Sequence, residues 1–133
     1  KSEGISLMPF AKQTLEYLKD KGYRIALASS TRGPVVTRQL EKAGLLSFFE
    51  SLSTGDQVSH SKPDPEIYKL ACKSLNLPPK KCAAVEDSPN GIKSAKSAGL
   101  FTIMVPDRIE PDEELLRKVD FLCSNLSEIK LKF

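Results

Sequence analysis

The sequence predicts an α/β domain: a parallel sheet with helices on both faces. Three observations predict it. Short apolar runs with little polar alternation recur at 23–28, 82–85 and 101–105, as expected of strands buried on both faces. Segments with helical spacing of apolar residues separate them, so successive strands need crossover connections. Glycines stand where helices should stop, at Gly22, Gly44 and Gly99.

The elements follow in order. Pro9 to Lys21 reads as a helix, because Phe10, Leu15 and Leu18 recur at helical spacing and Pro9 suits a first turn. Tyr23 to Ala28 is the first strand, broken by Ser29-Ser30-Thr31-Arg32-Gly33. Pro34 to Ala43 is a second helix, Leu45–Glu50 a connector, and Ser51–Thr54 a weak strand. Gly55 to Asp64 is a polar loop, after which Pro63 and Pro65 frame a helix with Ile67, Leu70, Ala71 and Leu75 on one face. Leu77-Pro78-Pro79-Lys80 is a turn, and Cys82 to Val85 a third strand. Ser88 is the expected N-cap, with Pro89 at the first position, of a helix running to Ala98. Phe101–Val105, Pro111–Lys118, Val119–Cys123 and Leu126–Ile129 read as strand, helix, short strand and short helix.

The 133 residues suffice for one domain with a real core, and 40% apolar with 28% charged residues is globular composition, not that of a disordered segment. The formal charge is +3, but the lysines and arginines are spread along the chain. That pattern suits solvated helix faces and argues against a nucleic-acid footprint. Cys72, Cys82 and Cys123 are odd in number and lack CxxC spacing, which predicts reduced core thiols rather than disulfides or a zinc site. No apolar run reaches membrane-span length and no signal-peptide pattern opens the chain, so the expectation is a cytoplasmic protein without a membrane partner. The chain starts at Lys1, not Met, which raises the expectation that its beginning has been removed.

In open α/β sheets, ligands bind beyond the carboxyl ends of the strands. Three loops occupy that position. Glu86 and Asp87 are adjacent carboxylates directly after a buried strand; they repel unless a cation is near, and Mg²⁺ is commonly held by one or two carboxylates with water and phosphate. A solvated turn with Asp87 or Ser88 capping the next helix is the plainer alternative. Lys62, in Ser61-Lys62-Pro63-Asp64-Pro65, sits in a loop stiffened by two prolines and can neutralise phosphate charge, or it is a surface lysine before a helix. Ser29 and Ser30 can offer a hydroxyl and backbone N–H groups to a phosphate oxygen, or can simply form an N-cap or a serine/threonine turn. His60 is read as a surface loop residue rather than a general base, Tyr68 and Phe101 as core, and Arg32 as a weaker candidate for phosphate contact.

Leu27-Ala28-Ser29-Ser30, Ser61-Lys62-Pro63-Asp64-Pro65-Glu66-Ile67-Tyr68 and Val85-Glu86-Asp87-Ser88-Pro89-Asn90-Gly91-Ile92 together resemble three motifs of the haloacid dehalogenase superfamily, in its β-phosphoglucomutase-like branch. The likeness runs from about Pro9 to Pro106 and is most specific from Glu86 through Gly99. It implies a three-layer, Rossmann-like core and Mg²⁺-dependent phosphoryl transfer on a small phosphorylated metabolite. It also implies roles: Ser29 hydroxyl and Ser30 amide on the transferring phosphoryl group, Lys62 bridging phosphate and nucleophile, Asp87 and Glu86 on the metal, and Ser88 and Asn90 shaping the loop behind them.

One departure is large. The family's first motif, DxDx[TV], carries the aspartate nucleophile on the central strand, and no DxD occurs in this chain; Asp107 and Asp112 are too far apart to replace it. The resemblance therefore implies that residues 1–133 form a single, incomplete core domain, with 1–8 the tail of a linker from a cap domain. The central first strand would belong between strands 23–28 and 82–86, supplied by an upstream segment or a second chain. The expected activity is that of a sugar-phosphate phosphatase working through an aspartyl-phosphate. A β-phosphoglucomutase-type phosphomutase and a non-catalytic scaffold are the alternatives.

Overall fold

The computed structural model describes residues 11–106 and 111–131. The expectations placed on Lys1–Met8, on Pro9 and Phe10, and on Asp107 lie outside those residues. Among the described residues, five strands and five α-helices alternate: α1 (Ala11–Asp20), β1 (Ala26–Ala28), α2 (Gly33–Ala43), β2 (Ser51–Ser53), α3 (Glu66–Ser74), β3 (Ala83–Glu86), α4 (Pro89–Ala98), β4 (Phe101–Met104), α5 (Glu113–Leu116) and β5 (Phe121–Leu122). Short 3₁₀ turns fill several connections, and the segment expected as a closing helix is a 3₁₀ turn over Leu126–Leu131.

All strand pairings are parallel, but the strands form two sheets among the described residues, β1-β2 and β3-β4-β5. Helices cover both faces. On one, α1, α2 and the C-terminal turn bury Leu15, Val36, Leu40 and Ile129 against Leu27 of β1 and Ile103 of β4. On the other, α3 and α4 bury Ile67, Cys72, Ala95 and Ala98 against Ala84 of β3. The strand side chains divide with a period of two, as pleated backbone requires.

Hydrogen-bond parity shows which way each strand's free edge faces. In a parallel pair, alternate residues turn both backbone groups to the same neighbour. Ser29 N–H donates to the Ser53 carbonyl, so Leu27 and Ser29 serve β2 while Ala26 and Ala28 turn away from it. Phe101 and Val105 N–H groups donate to the carbonyls of Cys82 and Glu86, so Ala83 and Val85 turn away from β4. Those outward edges line a cleft of about 1110 Å³ between the two sheets.

Several strands and helices are shorter than the sequence predicts. Tyr23, Arg24 and Ile25 precede β1, and Arg24 instead forms an exposed ion pair with Glu50 at 3.0 Å. β5 is reduced to two residues and α5 to four. Asp120 fixes the approach to β5: its carboxylate accepts from Thr102 N–H at 2.7 Å and from the Lys96 ammonium at 3.1 Å. The Thr102 amide, then Lys96, holds this carboxyl below the ordinary carboxylate value. Such a group stabilises the fold above its unfolded pKa, and the contribution is lost as pH falls through the depressed folded value. Between about pH 5 and pH 2, Asp120→Asn should therefore lose less stability than the parent, measured as the shift in urea midpoint with pH.

Candidate functional site

The site begins with a buried charge. Glu86 ends β3 with 8% of its side chain exposed, and a carboxylate there is costly unless paired and hydrogen-bonded. One oxygen, Oε2, takes both partners. The Lys62 ammonium donates to it at 2.6 Å, and the Tyr68 hydroxyl donates to it as well. Lys62 also donates to the Ala28 carbonyl at 3.2 Å, so this one side chain joins the carboxyl ends of β1 and β3. Its ammonium stands 5.3 Å from the centroid of the Tyr68 ring, within cation–π range.

Local sequence places each partner. The Lys62–Pro63 peptide is cis, and Asp64 next to it accepts from Glu66 N–H at the start of α3, at 2.9 Å. The buried Ser94 hydroxyl of α4 donates to the Asp64 carbonyl at 2.7 Å, tying the lysine loop to the helix that follows the acids. Ser88 caps α4, its Oγ accepting from Gly91 N–H at 3.1 Å, as the sequence predicts. Gly91 is required for contact: a Cβ there would stand 1.8 Å from Glu86 Oε1. The serine loop is held as closely, since a Cβ on Gly55 would stand 2.1 Å from the Ser30 carbonyl oxygen.

Ser29, Ser30, Lys62, Glu86, Asp87, Ser88 and Asn90 all line the inter-sheet cleft, at the carboxyl ends of β1 and β3. The structure thus brings together the candidates drawn from three separate loops. Ser29 Oγ accepts from Thr31 N–H at 3.1 Å, a serine turn that leaves its own proton to donate elsewhere. Asp87 is half-buried, and Ser30 and Asn90 are exposed. His60 lies on an exposed loop against Glu66, Nδ1 to Oε1 3.4 Å, as a surface residue. Arg32 precedes α2, whose first amide, Gly33 N–H, donates to Asp56 at 2.9 Å. The Thr54 hydroxyl and that amide hold the Asp56 carboxyl below the usual range.

Two residues contribute that the sequence reading did not single out for the site. Tyr68, read as core, is indeed buried, but its hydroxyl belongs to the Glu86 cluster; a buried phenol requires a hydrogen-bond partner, and that requirement was the available signal. Burial, reinforced by the charge of Glu86, pushes its hydroxyl well above the ordinary phenol value, so it remains a neutral donor. Gly91 supplies space for the carboxylate, which only coordinates reveal.

The donor set at the mouth is oxygen. Among the described residues, no group of three or more His, Cys, Asp or Glu side chains gathers as a metal cage. Two adjacent carboxylates suit a hard divalent cation that keeps water and takes phosphate as further ligands. Glu86 is buried and Asp87 half-buried, so Asp87 is the more exposed of the two acids. Among the described residues, removing Lys62 would leave Glu86 with the Tyr68 hydroxyl as its remaining side-chain hydrogen-bond partner. Lys62→Met should cost about 3 kcal/mol in urea denaturation, and adding Glu86→Gln should recover part of that loss.

Comparison with known proteins agrees with this architecture. Residues 2–99 match the family model of haloacid dehalogenase-like hydrolases. The phosphorylated carbohydrates phosphatase of Thermotoga maritima is 40% identical over 102 residues, covering 77% of this chain and 47% of that protein. Validoxylamine A 7'-phosphate phosphatase of Streptomyces hygroscopicus is 38% identical over 109 residues, covering 80% and 50%. The crystal structure of β-phosphoglucomutase from Clostridium difficile superposes with a TM-score of 0.80 at 25% identity, covering 94% of this chain and 53% of that one. The chain spans about half the length of the curated relatives it matches. No helix among the described residues is long and apolar enough to cross a membrane. With three site motifs on one cleft and a matching family model over most of its length, the chain belongs to the haloacid dehalogenase-like hydrolases, alongside phosphatases and β-phosphoglucomutase-like proteins.

Proposed function

We propose that this chain supplies the phosphate-binding and Mg²⁺-binding half of a phosphoryl-transfer site for a small phosphomonoester, with a sugar phosphate as the substrate class. The observation that carries the reading is the bonding of Lys62 to the ends of both flanking strands, to Ala28 next to Ser29 and to Glu86 next to Asp87, in one cleft that all of them line. Of the three N–H groups of Lys62, two are given to Glu86 and Ala28, which leaves one for a phosphate oxygen. The Ser29 hydroxyl and the Ser30 amide are donors for a second oxygen. Preorganised donors of this kind stabilise charge as it shifts between attacking and leaving oxygens.

Asp87, with Glu86 beside it, would hold Mg²⁺, which when bound supplies further charge neutralisation on the phosphoryl oxygens. Ser88 and Asn90 shape the turn that carries both acids. The nucleophile is an aspartate on a segment outside this chain: its carboxylate attacks phosphorus as the ester P–O bond breaks and the alcohol leaves with a proton taken from water, and a second water then hydrolyses the aspartyl-phosphate to aspartate and inorganic phosphate. We assign that segment to the cleft as an extended strand parallel to β1 and β3. The outward backbone groups of Ala26 and Ala28 on one side and Ala83 and Val85 on the other support the assignment. Hydrolysis is preferred over mutase chemistry because the relatives above with higher identity are named as phosphatases.

In the intact protein, Asp87→Asn and Lys62→Met should each lower kcat/KM for phosphate esters by about 10²-fold or more. Residues 1–133 purified alone should show no turnover, and adding the strand-bearing segment in trans should restore it. Turnover by 1–133 alone would falsify the assignment of the nucleophile. A bisphosphate requirement in an ester screen would instead identify a mutase.

A further inference from the structure

We infer that Tyr68 is a positioning residue of this site, holding Lys62 where its ammonium can be shared between Glu86 and an incoming phosphate. The inference rests on Lys62 being the phosphate-binding cation proposed above.

The geometry concentrates three contacts on one phenol. Its hydroxyl donates to Glu86 Oε2, the same oxygen that receives Lys62 at 2.6 Å. Its ring lies under the ammonium, 5.3 Å from centroid to Nζ. Its own position is set by α3, where it is 6% exposed and packed among Ile67, Cys72 and Ala95. The hydroxyl thus occupies part of the accepting capacity of Oε2, which would otherwise be available to the lysine alone. A carboxylate oxygen whose charge is partly satisfied by a second donor holds an ammonium less exclusively. The ring face adds an attraction on the ammonium that is separate from the carboxylate. Together they weaken the hold of Glu86 on an ammonium that touches it at 2.6 Å and also reaches the Ala28 carbonyl at 3.2 Å. Gly91 packs against Oε1, the other oxygen of the same carboxylate.

The test uses the intact protein and inorganic phosphate as the probe, with affinity measured by calorimetry. Tyr68→Phe keeps ring and volume while removing the hydroxyl, and should weaken phosphate binding about tenfold, the size expected for one hydrogen bond to a charged group. Tyr68→Leu also removes the ring face and should weaken binding further. A merely structural tyrosine would shift the thermal midpoint without moving phosphate affinity. In a Glu86→Gln background the effect of Tyr68→Phe should largely vanish, because the hydroxyl acts through that carboxylate. An equal loss in both backgrounds, or unchanged affinity in Tyr68→Phe, overturns the inference. Lys62→Met is the control that separates the two levels. If it leaves phosphate affinity intact, the proposed function itself is wrong; if it weakens binding and Tyr68→Phe does not, only the role of Tyr68 is lost.

Discussion

The structure is organised around one negative charge that is almost withdrawn from water. Glu86 ends a strand only four residues long, beneath a helix that begins three residues later. An isolated carboxylate in that position would destabilise the fold by several kcal/mol. Each neighbouring feature answers that constraint. The lysine comes from a proline-framed loop, the phenol from α3, and the close-packed glycine from α4. Ser94 then fastens the lysine loop to α4. That one charge is thereby the junction at which β1, β3, α3 and α4 are tied together.

That arrangement explains why so much of the fold was legible in the chain and where legibility stopped. Helix limits could be read because their determinants are local: Gly44 and Gly99 adopt left-handed backbone at helix ends, and Ser88 caps with its own hydroxyl. Strand lengths were less legible. Tyr23 to Ile25 have the composition of a strand, but pairing depends on what β2 offers opposite them, and that is not encoded nearby. The division into two sheets was legible only through the family resemblance, which sets strands 23–28 and 82–86 on either side of a central strand outside this chain, because strand order is a property of the assembled topology rather than of any one segment. The cap on α2 was also out of reach, since Asp56 lies twenty-three positions from the amide it accepts from.

The candidate site divides similarly. Ser29, Lys62, Glu86 and Asp87 could be nominated because each follows a strand or sits on a loop facing the crevice, a rule that depends only on chain order. Their resemblance to known motifs sharpened the nomination. What chain order does not provide is the partner of a partner. Tyr68 is apolar by position and polar by one atom, and only the location of Glu86 Oε2 decides which aspect matters. Gly91 likewise reads as an ordinary residue in the first turn of a helix until the carboxylate beside it is seen.

The outward edges of β1 and β3 have one more consequence. Backbone donors and acceptors that face a cleft will accept any extended chain of suitable shape, a second copy included. The alternation of Ala26 with Ala28 and of Ala83 with Val85 fixes which residues of an entrant can bond, and a slip of one position would reverse every side chain between the two helical layers. An extended chain entering this cleft would therefore be selected by its backbone pattern on both edges at once.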